Sequence, residues 1–178
     1  MKTSVVIPTW NRPELLARCV AAVHEHTEDD YELIVIDNGS EPRGWTWAAN
    51  RGMRAAEGEV VVLLNDDCIV EPGWLPPLRV ALETERHLWA VSATDPEGDN
   101  WPLNPWALAL LRHRGEVTFD DRYIHFLSDC EFMERAKGHY RRVEESHVRH
   151  VRSGEKSPVE LTTLRSWHLH DYGELPGW

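Results

Sequence analysis

Three short apolar runs lie in the first 65 residues, separated by segments with other periodicity. The runs are Ser4–Ile7, Leu33–Ile36 and Val60–Leu64. Continuous apolar runs of this length are typical of strands that are buried on both faces of a sheet. Apolar residues between positions 15 and 23 recur at helical spacing, and a helix rich in small residues is predicted from about Trp45 to Ala56. The order β-α-β-α-β predicts a parallel sheet with right-handed crossovers.

Capping signals predict where two of the helices begin. Asn11 can cap the first helix, with Pro13 in its first turn and Glu14 three residues after the cap. The sequence Ser157-Pro158-Val159-Glu160 combines a capping box with proline at the first helical position. A last helix is therefore expected to begin there.

The second half of the chain is less regular, but it contains no repeat or linker. Its predicted elements are a helix within Pro72–Glu85, a short strand at Trp89–Ala93, a loop at Thr94–Pro105, a strand near Ala107–Leu111 and a helix from about Asp129 to Lys137. The sequence therefore predicts one α/β domain.

Composition excludes several classes of protein. Thirty acidic residues against nineteen basic ones give the 178-residue chain a net charge of −11, which argues against broad binding to nucleic acid or to anionic membranes. No apolar run approaches the roughly 20 residues of a membrane-spanning helix. The three cysteines are widely spaced without a CxxC pair, so we expect reduced thiols and a cytoplasmic location.

Polar side chains follow each of the three predicted strands. The strand ends are Pro8-Thr9-Trp10-Asn11, Asp37-Asn38-Gly39-Ser40 and Asn65-Asp66-Asp67. Ligands of open parallel sheets bind outside the carboxyl ends of the strands. Carboxylates there would repel a bare phosphate, but a divalent cation reverses the repulsion, and oxygen ligands favour Mg²⁺ or Mn²⁺. There is no GxGxxG motif or P-loop, which weakens the dinucleotide and NTPase alternatives.

Five segments together resemble the motifs of a known family. Ser4–Arg12 is similar to the opening strand of family 2 glycosyltransferases, which have the GT-A fold. In order along the chain, Glu32–Ser40 resembles the second strand and its Asp-Asn/Asp-Gly-Ser turn, and Asn50–Gly58 the Asn-x-Gly-x-x-x-Ala-x-Gly segment. Leu63–Asp67 resembles the Asp-x-Asp site in its Asn-x-Asp variant, and Ser128–Gly138 the Glu-Asp-x-Asp helix with Ser in place of Glu.

The resemblance implies an α/β domain of GT-A fold, with a mostly parallel central sheet and helices on both faces. It would span residues 1–178, with a nucleotide-binding half at 1–93, an acceptor and catalytic half at 94–150, and a C-terminal helix and tail at 151–178. The implied activity is metal-dependent transfer of a sugar, with inversion, from a UDP, GDP or dTDP donor to a glycan or another hydroxyl acceptor.

Site residues are implied position by position. The donor would be contacted by Pro8, Thr9, Asn11, Asp37, Asn50, Asn65 and Asp66. Asp67 would hold Mn²⁺ or Mg²⁺, joined by His150 or alternatively His147. Asp129, at the start of a helix whose dipole favours its ionised form, would be the base that deprotonates the acceptor. The acceptor would be bound by Trp101, Asn104, Trp106 and Glu131, since large aromatic faces can stack on sugar rings.

Structural alternatives stay open for most of these residues. Asp37 can cap its own turn, and Asp129 can cap its helix while also acting as a base. Glu131 can simply face solvent, and the tryptophans can cover the edge of the core. Cys68 and Cys130 lack the basic surroundings of a nucleophilic thiolate, so we expect them to be packing residues.

Two other functions compete with sugar transfer. Nucleotidyl transfer would use a similar sheet and carboxylate pair, but the chain lacks a glycine-rich loop bearing Lys or Arg after the first strand. A non-catalytic module that binds a sugar or nucleotide is compatible with Asn65 and Ser128.

Overall fold

The computed structural model describes residues 2–28, 30–40, 43–98, 100–111, 118–151 and 158–173, with the backbone alone at 158–160. In chain order the elements are β1 (Thr3–Thr9), α1 (Pro13–His26), β2 (Tyr31–Asp37), α2 (Trp45–Ala55), β3 (Val60–Leu64), β4 (Cys68–Val70), α3 (Leu75–Thr84), β5 (Ala90–Thr94), β6 (Ala107–Leu111), α4 (Ser128–Arg135), β7 (Tyr140–His150) and α5 (Pro158–Tyr172).

The strands form one seven-stranded sheet in the order β2-β1-β3-β6-β5-β7-β4. β1 pairs in parallel with both β2 and β3, and β5 pairs in parallel with β7. β6 is antiparallel to β3 and β5, and β4 is antiparallel to β7. Five strands therefore run in one direction, and the predicted mostly parallel α/β sheet is confirmed.

Successive residues of the central strands point to opposite faces, and each face is covered by helices. Val60, Val62 and Leu64 of β3 pack in one core cluster with α1 and α3. Val61 and Leu63 pack in a second cluster with α2 and α4. As expected for strands covered on both sides, every residue of β1 and β3 is buried.

Two features bring the site together at the carboxyl ends of β1 and β3. Gly52 lets α2 lie close against β1, since a Cβ at this position would be 2.1 Å from Cγ1 of Val6. The β4–β7 pairing places His150 opposite Cys68. Because Cys68 directly follows Asp67, His150 also lies close to Asp67. β4 was missed in the sequence because it is only three residues long and directly follows the polar Asn65-Asp66-Asp67 turn.

The predicted cap of the first helix is wrong. Arg12 is the residue before α1, and it makes no side-chain capping bond, while Asn11 adopts a left-handed conformation with φ of 55°. The Arg12 carbonyl instead accepts a hydrogen bond from Leu16 N–H in the first turn, and Pro13 occupies the first helical position as predicted. The second predicted cap, Ser157, lies outside the described residues.

Candidate active site

A cleft of about 600 Å³ opens at the carboxyl ends of β1 and β3, and the start of α4 and the middle of α5 also line it. Its lining includes the predicted residues Pro8, Thr9, Asn65, Asp66, Asp67, Trp101, Trp106, Asp129 and His150. These residues come from five separate parts of the chain. The fold therefore gathers the proposed donor, metal, base and acceptor positions in one cavity.

Asp66 is fixed by the ends of β1 and α1. It is 5% exposed, and one carboxylate oxygen accepts a hydrogen bond from Thr9 Oγ1 at 2.7 Å. The Arg12 guanidinium lies 3.5 Å from its other oxygen. Burial raises the pKa of Asp66, although the Thr9 hydroxyl and the Arg12 charge offset part of that rise.

The two carboxylate oxygens of Asp67 have different neighbours. Its Oδ2 pairs with Arg12 Nη1 at 3.1 Å. Its Oδ1 is buried and accepts no hydrogen bond from the described residues, although His150 Nε2 lies 3.2 Å away. A buried carboxylate oxygen without a donor is costly unless something else binds it.

His150 is held beside Asp67 by its backbone and its ring. Its N–H donates to Asp95 Oδ2 at 3.1 Å, and its imidazole stacks on Trp106 with ring centroids 5.2 Å apart and planes at 11°. His147, the alternative position, lies 3.7 Å from Glu71 and does not line the cleft.

The Asp67 and His150 side chains fit a divalent cation. Two ligands at right angles around an ion with bonds of about 2.1 Å are roughly 3 Å apart, which is close to their separation. Cys68 Sγ belongs to the same group of atoms, all within 4.8 Å. However, Cys68 is fully buried, its thiol donates to the Trp106 carbonyl, and burial raises the pKa of this thiol well above its ordinary value. A neutral thiol is a poor ligand for Mg²⁺ or Mn²⁺, so Cys68 is a packing residue, as expected.

Asn65 supports a neighbouring aromatic residue. Its Oδ1 accepts a hydrogen bond from Trp45 Nε1 at 2.9 Å, and its backbone N–H donates to the Trp106 carbonyl. Both tryptophans line the cleft. The neutral side chain at this position is therefore used to orient Trp45 at the cleft wall.

Asp129 lies in the first turn of α4 and lines the cleft. Leu127, the residue before the helix, has a left-handed φ of 61°, which turns the chain sharply into α4. Asp129 Oδ1 accepts a hydrogen bond from Cys130 N–H at 2.8 Å.

Comparisons with known proteins identify the family. The sequence profile described as glycosyl transferase family 2 matches residues 4–43 and 40–142, which is most of the chain. The chain belongs to glycosyl transferase family 2. The predicted glycosyltransferase class is thereby confirmed.

Individual relatives are distant. The chain is 23% identical to the uncharacterized glycosyltransferase YwdF of Bacillus subtilis (strain 168), over 99% of the chain and 87% of YwdF. It is 29% identical to the glycosyltransferase AglE of Haloferax volcanii over 40% of the chain, but spans only 32% of AglE.

Solved structures support the fold. An S. aureus TarS fragment in complex with UDP-GlcNAc matches 96% of this chain and 66% of its own, with a TM-score of 0.66 and 14% identity. The complete TarS structure gives a TM-score of 0.68, with 98% of this chain and 41% of TarS covered. At this identity the match shows the fold alone, and it agrees with the GT-A architecture predicted from the sequence.

Three predicted site residues of this family 2 glycosyltransferase form hydrogen bonds or ion pairs within the protein and do not line the cleft. Asn50 is 1% exposed, donates to the Phe119 carbonyl and Asp121, and accepts from Phe119 N–H, so it ties α2 to the segment before α4. Asn104 is fully buried in the Thr94–Pro105 loop. Its side chain bonds to Ala93, Asn100 and Trp101. Neither residue lines the cleft, and their predicted contacts with donor and acceptor stay predictions.

Glu131 is the third such residue, and its predicted contact with the acceptor also stays a prediction. It forms an (i, i+4) ion pair with Arg135 at 3.0 Å, and it is absent from the cleft lining. Asn11 is also outside the lining, being exposed on the left-handed turn before α1. Asp37 lies exposed at the rim and accepts a hydrogen bond from Gly39 N–H at 2.9 Å, while its neighbour Asn38 lines the cleft. Its nucleoside contact stays a prediction.

Several lining residues were missed by sequence reasoning. They are Arg12, Trp10, Trp45, His125, Leu164 and Trp167. Trp167 of α5 packs against Trp10 with centroids 5.3 Å apart and stacks on His125 at 5.1 Å. Arg12 and Trp10 lie inside the first motif, and this position is a signal that could have identified them. Trp167 has no such signal, because α5 lies outside the segment that resembles the family.

The sequence predicts no membrane-spanning helix. Among the described residues, no helix combines the length and apolar character that crossing a bilayer requires.

Proposed function

We propose that this glycosyltransferase moves a sugar from a nucleotide-diphosphate donor to an acceptor hydroxyl, with inversion and with a divalent metal. The observation that carries the proposal is the single cleft that contains both the Asp67–His150 pair and Asp129. A donor side with metal ligands and an acceptor side with a carboxylate are the two parts that a metal-dependent inverting transfer would use.

Asp67 and His150 would hold Mn²⁺ or Mg²⁺. When bound, the ion would neutralise negative charge that develops on the departing diphosphate. Thr9, Asp66 and Asn65 lie beside this position, where they would orient the donor, and Asp37 would meet the nucleoside at the rim. Donors of the UDP class are the first to test, because TarS was solved with UDP-GlcNAc.

Asp129 would act as the general base. Its carboxylate would take the proton of the acceptor hydroxyl while the acceptor oxygen forms a bond to the anomeric carbon. The bond from that carbon to the diphosphate oxygen breaks on the opposite face, and the nucleoside diphosphate leaves. Because the attack is a single displacement, the anomeric configuration inverts.

The aromatic residues of the cleft would bind the acceptor. Trp106 is 7% exposed and Trp101 is 49% exposed, so one is a fixed wall and the other is open to a ligand. Trp10 and Trp167 add a second aromatic surface. Such surfaces suit the apolar faces of sugar rings, which favours a glycan acceptor.

Calorimetry with UDP, GDP, dTDP and CDP, with and without Mn²⁺, tests the donor half of the proposal. We expect metal-dependent binding of one nucleotide in the wild type and loss of that dependence in Asp67→Ala. If no nucleotide binds to the folded protein, the proposed donor site is wrong.

Substitution of Asp129 tests the catalytic half. With the identified donor, Asp129→Asn should bind nucleotide normally but lose transfer by roughly 10²–10⁴-fold. Glu134→Gln is a matched control on the same helix, since Glu134 is exposed and lies outside the cleft. NMR of the first product reports the anomeric configuration. Binding without turnover across a wide acceptor panel would instead indicate a non-catalytic module.

A further inference from the structure

Arg12 occupies a central position among the acidic groups of the cleft. Its backbone is fixed because its carbonyl accepts the Leu16 N–H bond at the start of α1. Its Nη1 then reaches both carboxylates, at 3.1 Å from Asp67 Oδ2 and 3.5 Å from Asp66 Oδ1. The Arg12 side chain is 26% exposed, whereas the two aspartate side chains are only 7% and 9% exposed.

Two adjacent buried carboxylates need a positive partner. Removing a charge from water is costly, and two like charges side by side add repulsion. Among the described residues, Arg12 is the guanidinium that pairs with both Asp66 and Asp67. It supplies one positive charge against two negative ones, so the pair is only partly neutralised.

Within the carboxylate pair, Asp67 Oδ1 is the oxygen atom that could bind a further cation. Arg12 engages Asp67 Oδ2, while the buried Asp67 Oδ1 accepts no hydrogen bond from the part of the chain that the structure describes and faces His150 Nε2. A divalent cation at Oδ1 would therefore face the guanidinium across one carboxylate group. Two cations that share a carboxylate repel each other, and in a partly buried site this repulsion is poorly screened.

We propose that Arg12 is the resting counter-ion of Asp66 and Asp67 and competes with the divalent metal for them. Metal binding weakens the hold of the carboxylates on Arg12, and the released guanidinium then binds the donor's diphosphate. Arg12 is thus a positioning residue that makes the free site a weak metal binder and links metal binding to diphosphate binding. By reciprocity, a diphosphate that draws Arg12 away strengthens metal binding. This inference rests on the proposed metal-dependent function.

Nucleotide-free Mn²⁺ titration, followed by the EPR signal of free Mn²⁺ at physiological salt, measures the competition directly. We expect Arg12→Gln to bind Mn²⁺ roughly tenfold more tightly than wild type, because a neighbouring positive charge is lost. Arg18→Gln is the matched control: it makes the same charge change at an exposed position of α1 and should leave the affinity unchanged. In Arg12→Gln, adding Asp67→Asn should abolish the binding, which assigns the site.

The second half of the inference predicts the opposite effect on the nucleotide. With Mn²⁺ saturating, Arg12→Gln should bind the preferred nucleoside diphosphate roughly tenfold more weakly, since a charged donor to the diphosphate is gone. Arg12→Lys keeps the positive charge but lacks the planar guanidinium, which can donate two parallel hydrogen bonds. Its affinities for Mn²⁺ and for the nucleoside diphosphate should therefore lie between those of wild type and Arg12→Gln.

Thermal unfolding keeps the test valid if Arg12→Gln is less stable. Without metal the variant should melt below wild type, and saturating Mn²⁺ should raise its Tm by more than it raises that of the wild type. Equal Mn²⁺ affinities and equal Tm increments for Arg12→Gln and Arg18→Gln would overturn the competition.

The outcomes separate this inference from the proposed function. If wild type binds Mn²⁺ through Asp67 but Arg12→Gln binds no more tightly, the metal site stands and the role of Arg12 is wrong. If wild type binds no Mn²⁺ while Arg12→Gln does, competition is supported in its strongest form. If neither protein binds Mn²⁺, both the metal site and the competition are overturned.

Discussion

Asp67 and His150 are separated by more than eighty positions in the chain but by 3.2 Å in space. Three neighbours hold them there: Trp106 stacks on the His150 ring, Asp95 binds its backbone, and the Val151 N–H donates to the Asp67 carbonyl at 2.8 Å. The imidazole is therefore positioned before any ligand arrives, which lowers the entropic cost of binding an ion.

We predict that His150→Ala weakens Mn²⁺ binding by roughly tenfold or more, because a nitrogen ligand is lost. His147→Ala is the control on the same strand, since its ring is 47% exposed and lies near Glu71 outside the cleft. Calorimetric titration of both variants with Mn²⁺ measures the difference. A larger loss in His147→Ala than in His150→Ala would exclude His150 as the ligand.

Individual site residues could be predicted where their chemistry is local. Asp66, Asp67 and Asp129 follow a buried run or begin a helix, and both positions are visible in the sequence. Asn104 and Asn50 could not be judged this way, because an amide that binds a ligand and an amide that closes a loop look alike until its partners are known. The role of Arg12 depends on carboxylates 54 and 55 residues away, so no local pattern reveals it.

Among the elements, α5 makes contacts that also help to position the candidate site. Near its C-terminal end, the Asp171 carboxylate accepts hydrogen bonds from the backbone N–H groups of Ile124, His125 and Phe126. The Asp171 side chain has no exposed surface. The bonded segment leads directly into Leu127 and α4, so α5 fixes the approach to Asp129 as well as supplying Trp167 to the cleft.

We predict that Asp171→Asn releases α5 and the 118–127 segment without unfolding the sheet. An amide cannot accept bonds through its NH₂ group, so at least one backbone N–H would lose its partner at a cost of roughly 1–3 kcal/mol. Hydrogen exchange followed by mass spectrometry should show faster exchange at 124–126 and in α5, with β1 and β3 unchanged. Asp30→Asn, at an exposed position, is the control. Unchanged exchange at 124–126 in Asp171→Asn would contradict the prediction.

The same contact should depend on pH. Burial acts to raise the pKa of Asp171, but the His170 hydrogen bond and the three backbone donors lower it below its ordinary value of 3.8. A lowered pKa in the folded state means that this stabilisation is present above about pH 4 and is lost as the pH falls through the folded pKa. Protection of the 124–126 amides, expressed relative to their intrinsic exchange rate at each pH, should therefore also fall in wild type on acidification, and Asp171→Asn should not show this pH-dependent loss.

Most elements could be predicted from their patterns, and the exceptions have physical reasons. The three continuous apolar runs, the helical spacing in α1, and the segments predicted for α2 and α4 all lie within a few residues of the observed elements. Neither β4 nor the whole of β7 is among the predicted elements, and β4 is too short to have a pattern of its own, since it exists through its pairing with β7. α5 was expected only from its start signal, and neither its place on the cleft nor its contacts with 124–126 follow from local sequence.

For the whole molecule, the order of strands determines how the two predicted halves cooperate. β6 comes from the second half of the chain but lies between β3 and β5 of the first half, and β7 lies between β5 and β4. Neither half therefore contains a complete sheet. The expectation of a single domain becomes a specific prediction: the chain should unfold as one cooperative unit.

The three cysteines provide probes of that cooperativity. Cys19 in α1 and Cys68 in β4 are fully buried in the same core cluster, and burial raises the pKa of Cys19 to about 12. Cys130 is partly exposed, although burial and the nearby Asp129 raise its pKa too. With a disulfide reagent at pH 8, we expect one thiol to react quickly and two to react slowly with a common rate. Cys130→Ser should remove the fast phase alone.

A core substitution in the second half should then accelerate both slow thiols of the first half. Leu108 of β6 is 1% exposed and packs on the opposite face of the sheet from Cys19 and Cys68. Leu108→Ala should cost roughly 2–5 kcal/mol of unfolding free energy. If the slow thiols react through global unfolding, both rates should rise together by roughly tenfold or more, since 1.4 kcal/mol corresponds to a factor of ten. Acceleration of one thiol without the other would mean that part of the core opens independently, because a single cooperative transition exposes both cysteines at once.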